Sequence, residues 1–309
     1  MKSAVIVNPR SAGGKTGRQW PDLAGALAGR IGPVEMRFTE RPGHAISIAR
    51  ELLEQGFDRI IAAGGDGTIS EVANGFLRDD QPIRPAACLG ILPLGTGGDF
   101  RRSLGVPRDI REAMDVIAAG VPLRIDMGKA EFTQGGQRQN RNFVNLLSFG
   151  MGGEVASMAA NFLSPLSGTA AFLWATAMAL AQYRRKNVRL ETDGAESPAL
   201  FSIYNVAVGN GRFHGGGMQA CPTAVLDDGI FEVTVIDYMN LLQVAVDFRV
   251  LYSDNVYRHP KVHHLRARKL LAEASEPVRI EVDGEPLGIL PLEIAVLPER
   301  LPVLISPAS

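Results

Sequence analysis

The stretch most suited to chemistry is a carboxylate set among glycines, Gly64-Gly65-Asp66-Gly67-Thr68. It follows Ile60-Ile61-Ala62-Ala63, an apolar run that reads as a buried strand. Glycines let a backbone approach an anion closely, and free N–H groups at a helix start can bind phosphate oxygens. Two related segments occur nearby, from Asn8 to Gly17 and at Gly95-Thr96-Gly97-Gly98. The two common phosphate loops are absent. The dinucleotide fingerprint fails because Ser70 stands where its third Gly belongs. Gly14-Lys15-Thr16 matches the tail of a Walker A loop, but Pro9 occupies the place of its first Gly. A carboxylate such as Asp66 beside phosphates repels them unless a cation lies between. Its presence therefore favours a nucleotide bound with Mg²⁺, or a catalytic role for the carboxylate. The plainer alternative is an Asp that caps the following helix.

A second candidate is Asp283-Gly284-Glu285, at the end of the strand-like run 278–282. Such a carboxylate could accept a hydroxyl proton, a role worth about 10²–10⁴-fold in rate. Read alone, Asp-Gly is a hairpin turn, and Asp227-Asp228-Gly229 reads as another turn. His259 and His263 have metal-ligand spacing, but Pro260 separates them and no acidic neighbour completes a site. The basic residues around them, and Arg184-Arg185-Lys186, read either as solvated faces or as contacts to anionic lipid headgroups.

The elements that must position these residues alternate in the first third of the chain. Strands are expected at 4–7, 34–39, 59–63 and 87–92, and helices at 15–27, 44–53 and 69–77. This alternation implies a doubly wound parallel sheet, whose ligands bind outside the carboxyl ends of its strands. The three glycine loops all follow strands, so they should share one edge. Beyond about residue 122 the pattern becomes mainly β, with strands at 124–132, 142–149, 188–192, 201–208, 231–236, 278–282 and 292–297. Helical insertions are expected near 154–183, 241–251 and 263–274. Two domains follow, 1–122 and 123–309, with the last strand able to return to the first.

The chain has 309 residues, of which 32 are Lys or Arg and 33 Asp or Glu, giving a net charge of −1. That balance argues against a nucleic-acid binder. Two cysteines are too few for a Cys-based zinc module and suit a reducing compartment. The opening residues lack a signal-peptide apolar core. The uncharged stretch 162–181 is broken by Pro165 and Gly168, and its helical part is too short to span a bilayer. A cytoplasmic protein is expected.

The three loops together resemble the diacylglycerol kinase/sphingosine kinase catalytic-domain family. The likeness rests on Gly64 to Thr68 with Glu71-Val72 and Asn74, on Asn8-Pro9-Arg10-Ser11-Ala12-Gly13-Gly14, and on Leu92-Pro93-Leu94-Gly95-Thr96-Gly97-Gly98-Asp99-Phe100 with Leu104-Gly105. It continues through Gly209-Asn210-Gly211, the segment from Pro222 to Gly229, and Asp283-Gly284-Glu285-Pro286. Gly-Gly-Asp-Gly by itself also occurs in NAD kinases; the full ordered set is specific to the lipid-kinase branch, and its soluble bacterial members fit best.

The resemblance implies a nucleotide domain of NAD kinase/diacylglycerol kinase type and a C-terminal β-sandwich-like domain. It implies transfer of the ATP γ-phosphoryl group to a lipid hydroxyl, with Mg²⁺. ATP would be lined by Asn8, Thr39, Gly64, Gly65, Asp66, Gly67, Thr68, Ser70, Glu71, Gly95 and Thr96. Family members place a general base in the Asp-Gly-Glu element, which makes Glu285 the first choice and Asp283 the second. Some bacterial members hold a structural Mg²⁺ at the positions of Val225, Asp228 and Ile230. One departure is Gly98, where the family usually has Asn. A lipid substrate taken from a membrane surface implies peripheral contact with the inner face, and a homodimer is left open. The alternatives are an NAD-kinase-like phosphotransferase and a catalytically silent lipid- or nucleotide-binding regulator.

Overall fold

A computed structural model describes residues 1–161, 176, 178–180, 182–251 and 253–307. Most of the uncharged stretch 162–181 lies outside the described residues. The chain forms two compact units, one of Met1–Met127 with Leu297–Ser309 and one of Gly128–Val296.

The first unit is built in order from β1 (Ser3–Val7), α1 (Lys15–Ile31), β2 (Val34–Phe38), α2 (His44–Glu54), β3 (Arg59–Gly64), α3 (Asp66–Gly75), β4 (Leu77–Arg78), β5 (Gln81–Pro82), β6 (Cys88–Pro93), α4 (Asp99–Ser103) and α5 (Ile110–Ala119). The parallel pairs place Val5 opposite both Met36 and Ile61, and Ile61 opposite Gly90. The final strand of the chain, Glu285–Ile305, adds in parallel at Val303 opposite Leu89. β1 and β3 are buried along their whole length. Their Val, Ile and Ala side chains therefore leave water completely, worth roughly 1.5–3 kcal/mol for each large one. α1 packs beside α5 and α2 beside α3. Neither α4 nor α5 is anticipated above, although Asp109 is a plain start signal, its carboxylate accepting the Arg111 and Glu112 N–H groups. Because the strands are parallel, the loops after β1, β2, β3 and β6 leave one sheet edge.

The chain passes into the second unit inside β7 (Val121–Gln134), between Met127 and Gly128. That unit contains β8 (Gln137–Phe143), β9 (Leu146–Gly150), α6 (Met151–Asn161), β10 (Lys186–Thr192), β11 (Ala199–Gly209), β12 (Phe231–Asp237), α7 (Leu241–Leu251), β13 (Val262–Ala267), β14 (Lys269–Glu273), β15 (Arg279–Val282) and most of β16 (Glu285–Ile305). Its pairs β7–β8, β9–β11, β9–β15, β10–β11, β10–β14, β11–β12, β12–β13, β14–β16 and β15–β16 are all antiparallel. Its core includes Phe143 stacked on Phe231, with ring centroids 5.4 Å apart.

Two expectations need correction here. The segment 263–274 is not helical but forms β13 and β14. Its Lys, Arg, Leu and Ala content favours a helix, yet alternate residues Leu265, Ala267, Leu270 and Ala272 pack on the core. The expected strand 142–149 is two strands broken at Val144-Asn145, and the break serves the site described next. Among the described residues, no helix is long and apolar enough to cross a membrane.

Candidate functional site

The N-terminal unit gathers most of the loop residues singled out in the sequence. The Asn8 N–H donates to Ala63 O at 3.0 Å, and its side-chain amide donates to Thr68 Oγ1 at 3.0 Å, tying the β1 loop to α3. The Thr39 N–H donates to Val7 O, holding the end of β2 beside β1. The Leu94 N–H donates to Gly64 O, and the Thr16 hydroxyl donates to Leu94 O, so the β6 loop is pinned to both others. Thr96 is exposed at this edge, whereas Ser70 is buried. Glu71 is turned toward α2: its carboxylate accepts the Gly43 N–H at 2.8 Å and the Ala45 N–H at 3.1 Å.

Asp66 does not cap its own helix, whose N-cap is Gly65 without a side-chain bond. Its carboxylate reaches across to the β6 loop and accepts the Gly98 N–H at 2.6 Å and the Phe100 N–H at 3.3 Å. Charge-assisted bonds of this kind are about twice as strong as neutral ones. They hold the second glycine loop against the first. Gly98 makes the turn possible, with φ +84° and ψ 37°. Asn tolerates that left-handed geometry better than other side-chain-bearing residues, so Gly here is conformationally equivalent to the family's usual residue. A Cβ at Gly98 would meet the Arg101 Nε at 2.7 Å, a flexible neighbour able to move.

Gly95 is less forgiving. A Cβ built there would lie 2.3 Å from the Gly65 Cα, backbone against backbone. Gly95→Ala is therefore expected to force the two loops apart and lower stability by about 1–3 kcal/mol. Thermal melts beside the wild type check this; an unchanged melting temperature would mean the loops do not meet there.

The C-terminal unit places Asp283 and Gly284 in the two-residue turn between β15 and β16, with Val282 opposite Glu285. Both residues have positive φ, +48° and +86°, the geometry that an Asp-Gly hairpin favours. The hairpin and the functional element are thus the same object. The Asp283 carboxylate accepts three backbone N–H groups, from Val144 at 3.1 Å, Asn145 at 3.1 Å and Leu146 at 3.0 Å. This is why β8 and β9 break where they do. Glu285 is partly exposed and forms an ion pair with Arg141 at 2.8 Å.

Sequence reasoning missed the neighbours of this turn. Glu281 lies on β15 between β9 and β16, and is only 1% exposed. Its Oε1 accepts the Ser148 hydroxyl at 2.8 Å and lies 3.1 Å from His214 Nε2, while its Oε2 accepts the Gly284 N–H at 2.8 Å. Burial pushes its carboxyl above the usual carboxylate range, an effect opposed by His214 and Ser148. Alternation along β15 turns Glu281 away from the core face of Ile280 and Val282; α6, packed on β15, and the loop of His214 bury it instead. The loop that delivers His214 turns through Gly215, Gly216 and Gly217, all at positive φ, and is closed by reciprocal backbone bonds between His214 and Met218.

Glu281, His214, Gly284 and Asn205 mark the polar part of a cavity of about 190 Å³ whose other walls include Met151, Val155, Leu180, Met218, Ile236 and Val244. A free thiol in this unit, Cys221, is wholly buried and pushed up to about 12 by that burial, which leaves it inert at neutral pH.

The turn carrying Val225, Asp228 and Ile230 has a different character. Asp228 accepts the Ile230 N–H at 3.2 Å and pairs with Arg266 at 2.8 Å, and Arg266 also reaches Glu232 at 2.9 Å. A divalent ion bound through Asp228 would have to compete with that guanidinium. His263 pairs with Asp237, His259 with Asp247 and His264 with Glu232. Among the described residues, no group of three or more His, Cys, Asp or Glu side chains is arranged to hold a metal.

The family model for the diacylglycerol kinase catalytic domain matches residues 2–130, and that for the YegS C-terminal NAD kinase beta sandwich-like domain matches residues 145–305. A diacylglycerol kinase of Staphylococcus saprophyticus is 31% identical over 302 residues, spanning 98% of this chain and 94% of that protein. A Staphylococcus aureus diacylglycerol kinase is 30% identical over 302 residues, spanning 98% and 91%. Among solved structures, a diacylglycerol kinase from Bacillus anthracis superposes with a TM-score of 0.73 at 25% identity, over 99% of this chain and 97% of that one. Yeast NADH kinase complexed with NADH shares the fold, with a TM-score of 0.55 at 12% identity, over 100% of this chain and 84% of that one.

Proposed function

The chain belongs to the diacylglycerol kinase catalytic-domain family, and from that premise we propose that it transfers the γ-phosphoryl group of ATP to the hydroxyl of a lipid. The observation that carries this reading is the presence of two complementary chemistries in one chain. The N-terminal unit offers three glycine loops at the carboxyl edge of a parallel sheet, and the C-terminal unit offers an apolar cavity with a polar part. The first suits a polyphosphate and the second a hydrocarbon.

Phosphoryl transfer is mostly positioning and charge neutralisation. Asn8, Thr68 and the two loops joined by Asp66 would position the nucleotide. Asp66 is a hard carboxylate among those loops, the donor type that Mg²⁺ takes, and the ion would neutralise phosphate charge. In the other unit, Glu285 is the better candidate for the base. The Asp283 oxygens are already engaged by three backbone N–H groups, whereas Glu285 stands partly exposed beside a cation. Incubation with ATP, Mg²⁺ and a total lipid extract, read by mass spectrometry, tests the reading. One lipid class should gain a phosphate; a complete absence of phosphorylated lipid would overturn it.

Contact with the inner face of a membrane belongs to the same proposal. Arg184 and Arg185 are exposed, while Lys186 is held by Glu276 at 2.9 Å. Replacing both arginines with Gln should weaken binding to anionic vesicles about thirtyfold, since each surface cation contributes about 1 kcal/mol. Raised salt should weaken the wild type similarly. Vesicle sedimentation unaffected by either change would return the pair to a solvated face.

A further inference from the structure

The mechanism above leaves one buried pair unused, His214 with Glu281. Glu281 is saturated from within the protein, by Ser148, Gly284 and His214. His214 is not. Its Nε2 is turned onto Glu281, and no hydrogen bond among the described residues involves its Nδ1. The residue lines the apolar cavity, and its loop is fixed by the His214–Met218 backbone pair. A carboxylate that orients one ring nitrogen and leaves the other for a ligand is the usual arrangement of a working imidazole.

The lining gives the ligand's character. Among its described residues there is no Lys or Arg, and the one carboxylate is Glu281. An anionic phosphate head would meet that carboxylate with no compensating cation. The cavity, at about 190 Å³, exceeds the roughly 150 Å³ that lets a dry apolar cavity take up a benzene-sized group. It suits a stretch of hydrocarbon chain.

We infer that His214, oriented by Glu281, is a specificity-determining residue whose Nδ1 accepts a hydrogen bond from the hydroxyl of an uncharged lipid whose chain enters the cavity. This rests on the lipid reading of the C-terminal unit and narrows it to uncharged, hydroxyl-bearing heads. His214 acts here as a positioning residue, separate from the base.

Three variants separate ligand binding from mere pairing with Glu281. Asn places its amide near the position of Nδ1, Gln near that of Nε2, and Leu supplies neither. The probe is dioctanoylglycerol, titrated calorimetrically without ATP, with thermal melts to establish folding. The wild type and His214→Asn should bind alike, whereas His214→Gln and His214→Leu should bind about tenfold more weakly, the effect of one hydrogen bond. Dioctanoyl phosphatidic acid should bind the wild type more weakly than dioctanoylglycerol. Rescue by Gln but not Asn would show a purely structural pair and overturn the inference, as would wild-type binding in His214→Leu or no binding by the wild type. Should His214→Leu fail to fold, the Asn and Gln variants still decide. If binding follows the expected order but no lipid is phosphorylated, the kinase reading falls and this assignment stands.

Discussion

Asp66→Asn is expected to lower kcat about a hundredfold in a protein that still folds. The carboxylate accepts the Gly98 and Phe100 N–H groups, and an amide can accept through only one of its two atoms. Whichever way it turns, its NH₂ would confront a backbone N–H. The loop from Gly95 to Gly98 would then move away from the loop at Gly64-Gly65, and a displacement of about 1 Å can cost 10²-fold in rate. If the site takes Mg–ATP as proposed, removing charge from it acts in the same direction. Losing bonds to a charged acceptor should also reduce stability by about 1–3 kcal/mol. Steady-state kinetics, ATP titration and a thermal melt on one preparation separate the two effects. Near-wild-type kcat would remove Asp66 from the mechanism.

Glu285→Gln should show the second large effect, and its contrast with Asp283→Asn is as informative as its size. If Glu285 takes the proton of the acceptor hydroxyl, the amide should lower kcat by about 10²–10⁴-fold. ATP affinity should hardly change, because the base touches the acceptor rather than the nucleotide. Its melting temperature should fall only modestly, since Glu285 is partly exposed and a glutamine oxygen can still accept from the half-buried Arg141. Asp283→Asn should behave oppositely. Asn suits the turn geometry, but three N–H groups would lose their carboxylate, so stability should fall by about 1–3 kcal/mol. A large kcat loss in Asp283→Asn, with a normal melting temperature and an active Glu285→Gln, would transfer the base to Asp283.

Much of this site was legible from local sequence. The apolar runs that end in Asn8, Gly64 and Gly95 announced buried parallel strands, because such strands are covered on both faces and need no polar alternation. Asp-Gly announced its hairpin for a purely local reason, the positive φ of both residues. The partner of Asp66 was not legible, because Gly98 is 32 positions away and only the parallel register brings the two loops together. Glu281 was hidden by its own pattern, since alternation put it opposite the core face and could not show that α6 and the His214 loop would cover that second face. His214 carried no signal beyond the three glycines that follow it. The segment 263–274 misled because helix-favouring residues outnumbered the alternating apolar ones, and pairing with β12 and β16 overrode that preference. β16 runs from Glu285 to Ile305 through several prolines that suggested a shorter strand; it pairs with different neighbours along its length.

The central claim is that the acceptor is a lipid. The most direct test supplies the purified protein with γ-labelled ATP, Mg²⁺, dioleoylglycerol in mixed micelles and NAD in one reaction, then partitions the products between organic and aqueous phases. The account predicts label in the organic phase as a monophosphorylated lipid, lost in Glu285→Gln, with none in NADP. Label in NADP with none in lipid would contradict it.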